Sequence, residues 1–145
     1  MNWIKNCSIE RDEINMIEIE EKANYCLNCK VKPCSIKGCP LNNNIPGFIK
    51  AVKEKDYKEA YKILSETTVL PGVCGKICPH TKQCQGSCIR GIKGDPVSIG
   101  KIETFIFQNA VEQGYCLKDL IKRQENLALT NKKVAIVGGG PAGLS

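Results

Sequence analysis

The chain of 145 residues has room for one ordinary domain and a piece of a second. Its hydrophobic fraction of 42% includes all ten cysteines, so the apolar core is modest unless bound inorganic centres add stability. The formal charge of +6 comes from lysines spread along the chain, and aromatics at 6% are too few for a stacking platform, which excludes a nucleic-acid partner; the basic excess is a solvated surface and a balance for anionic thiolate clusters.

No stretch reaches the roughly 18 apolar residues of a membrane span. The opening MNWIKNCSIERDEINMIEIEE turns acidic where a signal peptide needs its apolar run. The expectation is a cytoplasmic protein without a membrane partner, and in a reducing compartment dense cysteine points to metal rather than disulfides.

In chain order, residues 10–25 carry Ile14, Ile17, Glu18, Glu21 and Lys22 at helical spacing, predicting an amphipathic helix that leads into CLNCKVKPCSIKGCP at 26–40. Asn42, Asn43 and Asn44 form a turn, and Pro46 suits the first turn of a helix. Phe48, Ile49 and Val52, then Tyr57, Ala60, Tyr61 and Leu64, predict two helices broken near Lys55 and Asp56. A second cysteine group, CGKICPHTKQCQGSC, occupies 74–88, so the two groups fold together only through tertiary contact. After the turn GIKGDP, a helix is predicted with Ile99, Ile102, Ile106, Ala110 and Val111 in register. Residues 117–132 form a polar, partly helical connection, and Val134 to Val137 is a short run of strand type ending in glycines.

The cysteine spacing carries the chemistry. Zinc sites usually pair two closely spaced C-x2-4-C units around one tetrahedral ion. Here only Cys26 and Cys29 are two residues apart; gaps of four precede Cys34 and Cys39, and gaps of three, five and three separate Cys74, Cys78, Cys84 and Cys88. Such uneven steps suit ligands wrapped around a larger four-iron cubane, and the Cys39-Pro40 ending matches ferredoxin runs whose last cysteine binds the other cluster. Spacing alone favours two [4Fe–4S] clusters over zinc, with disulfides or free thiols behind. His80, the only histidine, is expected to hydrogen-bond near the site rather than to ligate, and Cys7 and Cys116 to be free or buried thiols.

Gly138, Gly140 and Gly143 fit G-x-G-x-x-G directly after the apolar run VAIV. The first glycine makes the tight turn, the second lets backbone N–H groups approach a pyrophosphate, and the third lets a following helix pack on the strand. The chain stops at Ser145, without the helix or the acidic residue expected about 20 residues on. As a fragment it is expected not to hold a dinucleotide.

CLNCK, CGKICPHTKQCQGSCIRG, GDPVSIGKIE and VAIVGGGPAGLS, in that order, resemble the N-terminal part of the glutamate synthase small subunit. The resemblance extends to the bifurcating NADH-dependent ferredoxin–NADP oxidoreductase large subunit and the front of dihydropyrimidine dehydrogenase, and covers about residues 10–145. It implies an all-α, ferredoxin-like domain with two [4Fe–4S] clusters at 1–116, a linker at 117–132, and at 133–145 the first strand and glycine turn of a Rossmann-type FAD domain. FAD and NADPH would bind only in the longer protein. The family pattern places Cys26, Cys29, Cys34 and Cys88 on one cluster and Cys39, Cys78 and Cys84 on the other. For the missing fourth ligand it points to Glu103, against Cys74 as the thiolate alternative. At about 100° per residue Glu103 lies inside the apolar stripe of its helix, where a carboxylate is costly unless paired or metal-bound.

The implied role is oxidoreductase electron transfer, passing electrons between FAD reduced by NADPH and a partner, the glutamate synthase large subunit, without a catalytic acid, base or nucleophile in this segment. The bifurcating oxidoreductase shares every motif. A zinc-stabilised interaction domain without redox activity is the alternative of another class, and a truncated product without independent function is a third.

Overall fold

A computed structural model of the chain describes residues 15–115, 132–140 and 143. All regular structure among them is helical. The five α-helices are α1 (Met16–Asn24), α2 (Ile45–Lys53), α3 (Tyr57–Ser65), α4 (Pro71–Ile77) and α5 (Ile99–Glu112). Between them lie a π-turn at Cys34–Gly38 and 3-10 turns at His80–Lys82 and Ile89–Ile92. None of the described helices is long and apolar enough to cross a membrane.

Local chemistry sets the helix limits. Asn15 caps α1, its side-chain oxygen accepting the Ile17 N–H at 3.0 Å, and Glu18 pairs with Lys22 one turn on at 3.1 Å. The buried face of α1 is Ile19 and Ala23, whereas Ile17 is 68% exposed. Residues 17 and 19 stand about 200° apart on a helix, so the register read through Ile17 was the solvent face. Pro46 occupies the first turn of α2, as expected. The break before α3 is where it was read: Lys55 adopts φ +60° and Asp56 accepts the Glu59 N–H at 2.9 Å as the new cap.

The core lies where α5 meets the other helices. Ile99, Ile102, Ile106 and Ala110 are buried there with Phe48, Ile49 and Val52 of α2 and Ala60 and Leu64 of α3. Burying each large side chain contributes about 1.5–3 kcal/mol. Val111, read as part of this stripe, is 43% exposed. Helix α4 was not foreseen as a helix. Its stability comes from contact: Gly75 presses on α5, where a first side-chain carbon would come within 2.9 Å of the Thr104 nitrogen. Thr104 donates its hydroxyl back to the Gly100 carbonyl at 2.9 Å.

The expected strand does not form among the described residues. Residues 132–138 have no regular structure, and Val134 and Val137 are 86% and 97% exposed. A strand needs a neighbour to complete its hydrogen-bond ladder, and no described segment supplies one.

Candidate metal centres

The two cysteine groups frame two recesses. Cys26 and Cys29 lie on the loop after α1, Cys34 opens the π-turn, and Cys88 precedes the 3-10 turn at Ile89–Ile92. These four line the first recess, of about 370 Å³ and open to solvent, over an apolar floor of Ile45, Ile49, Val97 and Ile99. Cys39 ends the π-turn, Cys78 caps α4, Cys84 lies in the following loop and Glu103 projects from α5. These line the second recess, of about 550 Å³ and likewise open to solvent, together with Cys74, His80, Thr68 and Asn43. Ile45 and Ile99 line both, so the recesses share a wall.

The crossing is built by the π-turn. Cys34 and Cys39 face different recesses, and between them Gly38 meets the second cysteine loop so closely that a first side-chain carbon would fall 2.7 Å from Cys84 Cα and 2.8 Å from the Gln83 carbonyl oxygen. Ser35 anchors the turn to α2, its hydroxyl accepting the Ile45 N–H at 3.2 Å. On the far side Arg90 donates to the Tyr25 carbonyl at 3.0 Å and stacks its guanidinium 4.2 Å from the Tyr25 ring centroid. That contact fixes Cys88 beside the loop holding Cys26 and Cys29. Lys53 adds a bond from α2 to the Cys26 carbonyl at 2.7 Å.

The electrostatics follow from burial. Desolvation pushes the Cys34 thiol up to about 11, and the nearby Cys26 and Cys88 sulfurs push the same way. Burial drives Cys84 up to about 12, with smaller contributions from Glu103, Cys39 and Cys34. Cys78 rises to about 11, through burial first, then through Cys74, Glu103 and Cys39. Metal-free, these thiols keep their protons at neutral pH. Binding a cluster would release them, and the iron charge would replace the lost protons.

Glu103 is 8% exposed, and burial raises its carboxyl to about 7. Its carboxyl lines the second recess, where its charge acts on Cys78 and Cys84. A buried carboxylate facing a ring of thiols fits an iron ligand far better than a surface glutamate. His80 stands where it was expected, with Nε2 3.1 Å from the Gly75 carbonyl and Nδ1 3.4 Å from Cys84 Sγ. A carbonyl can only accept, so Nε2 carries the proton and Nδ1 takes the Cys84 S–H.

No disulfide joins the eight described cysteines, and Cys7 and Cys116 lie outside the described residues. Among the described residues no group of three or more His, Cys, Asp or Glu converges as a single metal ion requires. Donors spread around a recess suit a cluster with several iron corners, each taking one ligand. The residues fit the group.

Two partners were invisible in the sequence. Asn43, within a run read only as a turn, is buried and donates to the Leu64 carbonyl at 3.1 Å, and Thr68 holds its hydroxyl 3.7 Å from Cys74 Sγ. Neither has a spacing signal. At the glycine fingerprint Gly138 adopts φ +108°, a turn conformation suited to glycine, and Gly143 donates to the Gly140 carbonyl at 2.9 Å. Residues 141, 142, 144 and 145 lie outside the described set.

Fold and site together define a helical iron–sulfur domain. The family model "Dihydropyrimidine dehydrogenase domain II, 4Fe-4S cluster" matches residues 4–115, and the chain belongs to that family. It is 38% identical over 128 residues to the glutamate synthase [NADPH] small chain of Escherichia coli (strain K12), covering 88% of this chain and 26% of the relative. The corresponding protein of Azospirillum brasilense is 36% identical over 126 residues, covering 86% and 25%. The putative oxidoreductase UacF of Escherichia coli (strain K12) is 34% identical over 125 residues, covering 85% of this chain and 18% of that protein. The chain thus spans about a quarter or less of these relatives' lengths, and similarity to oxidoreductases with a 4Fe–4S domain supports an iron–sulfur electron-transfer role.

Proposed function

We propose that the chain is the two-cluster electron-transfer module of an NADPH-dependent glutamate synthase small subunit. Cys26, Cys29, Cys34 and Cys88 hold one [4Fe–4S] cluster, and Cys39, Cys78, Cys84 and Glu103 hold the other. The observation that carries this is the pair of recesses, each presenting that donor set, back to back across Ile45 and Ile99. Bound clusters would supply one-electron transfer, with potentials set by ligand type, burial and hydrogen bonds to sulfur. The protein's own contribution is positional. The Asn28 N–H lies 3.5 Å from Cys26 Sγ, His80 abuts Cys84, and Ile45 and Ile99 line both sites.

The division proposed is a cluster domain at 1–116, a linker at 117–132 and the opening of an FAD-binding Rossmann unit at 133–145, whose Gly138, Gly140 and Gly143 would meet the pyrophosphate. FAD and NADPH belong to the remainder of the flavoprotein chain, and the electron acceptor is the glutamate-forming large subunit. The reducing cytoplasm is the setting such thiolate sites require. The similarity to UacF favours a second reading, the same module serving a different oxidoreductase such as the bifurcating ferredoxin–NADP enzyme.

The test is composition. Purified without oxygen, the chain should be brown and carry about eight iron and eight sulfide. Zinc without sulfide, in protein that cannot be reconstituted with iron, would leave a structural metal domain.

A further inference from the structure

We propose that Cys74 is a reserve ligand of the second cluster, able to take the iron corner that Glu103 occupies; this rests on the two-cluster reading above. The second recess presents five candidate donors, Cys39, Cys74, Cys78, Cys84 and Glu103, to a cluster with four corners. The first recess presents only four. The surplus donor, Cys74, lies on the side of the recess where α4 meets α5. Helices α4 and α5 touch backbone to backbone at Gly75 and Thr104, where a side-chain carbon on Gly75 would lie 2.9 Å from the Thr104 nitrogen and 3.2 Å from its Cα. The residues one step earlier on each helix, Cys74 and Glu103, both line the recess beside that contact. Cys74 is half-buried, its sulfur 3.7 Å from the Thr68 hydroxyl and within hydrogen-bonding reach of the Cys78 thiol one turn on.

The chemistry of the two donors differs. Carboxylate is a hard ligand and thiolate a soft one that iron in a sulfide cluster prefers. In the exchange an iron–oxygen bond breaks, an iron–sulfur bond forms, and the Cys74 thiol proton passes to the released Glu103 carboxylate. No electron moves, so the cluster keeps its oxidation state.

Four forms of the chain, prepared without oxygen, test this: wild type, Cys74→Ser, Glu103→Leu and the double variant. Leucine suits the apolar stripe of α5 and cannot ligate. Iron and sulfide are counted, and loaded protein is treated with a small alkylating reagent and mapped by mass spectrometry. Wild type and Cys74→Ser should hold about eight iron. Glu103→Leu should keep about eight while Cys74, labelled in wild type, becomes protected, and the double variant should fall to about four. Glu103→Leu falling as far as the double variant, or leaving Cys74 as reactive as in wild type, would overturn the proposal. Loss of one cluster in Cys74→Ser alone would make Cys74 the resident ligand and overturn it equally. Should leucine crowd the recess and empty both sites, Glu103→Ala gives the same two readouts with less bulk. Wild type without about eight iron would instead defeat the two-cluster reading.

Discussion

The first recess is ringed by four thiols from three connecting segments, whereas the second takes its donors from the end of the π-turn, from α4 and the loop after it, and from α5, and includes a buried carboxylate and a neighbouring imidazole. One wall of two isoleucines separates them. If each recess holds a four-iron cluster, as proposed, two sites so close together would be useful to an electron path only if they differ. The proposed donor sets would make them differ in ligand hardness and in what touches the sulfurs.

The largest test of that contrast is to empty one side at a time. Cys34→Ser should remove the first cluster and Cys84→Ser the second, each lowering iron from about eight to about four. Equal loss of both clusters in either variant would mean one folding unit without independent sites. Next comes the joint between them. Gly38→Ala puts a carbon onto Cys84 Cα and the Gln83 carbonyl, so it should destabilise the chain by about 1–3 kcal/mol and lower the occupancy of both sites, read by chemical unfolding and iron content.

Proton linkage sharpens the comparison in the metal-free chain. The Glu103 carboxyl rises from 4.5 to about 7 on folding, so its neutral form favours the folded state. That contribution is full below about 4.5 and is lost as pH rises through about 7, a change of up to about 3 kcal/mol. Thermal unfolding of reduced, iron-free protein should therefore show falling stability between pH 4.5 and 7, and Glu103→Gln should flatten that fall. The first recess has no carboxylate and adds nothing in this window. The smallest effect is expected far from both sites: Asp56→Ala removes the α3 cap, costing about 1 kcal/mol with iron content unchanged.

The sequence made some of this legible because the signals were periodic or chemical. Helices α2 and α3, with their break at Asp56, follow from apolar spacing and a capping residue. Glu103 was pointed to by the family resemblance, and its place in the apolar stripe of a predicted helix supported that reading. The parting of Cys34 from Cys39 was suggested by the Cys39-Pro40 ending, and the π-turn provides the bend. What was illegible depends on tertiary contact. Seven residues with two glycines make α4 a poor isolated helix, and only its close approach to Thr104 gives a reason for Gly75. Ile17 and Val111 were read into buried faces because a short amphipathic helix leaves its exact rotation to its neighbours. The Val134 to Val137 run has strand character but no described ladder partner.

The most direct measurement is the Mössbauer spectrum of the iron-57-loaded chain, which separates iron bound only by sulfur from iron with an oxygen ligand. One site of each kind of donor set predicts that one iron in about eight carries the larger isomer shift of oxygen ligation and that this component disappears in Glu103→Leu. A spectrum in which every iron is sulfur-bound, unchanged by Glu103→Leu, would contradict the distinction between the two recesses.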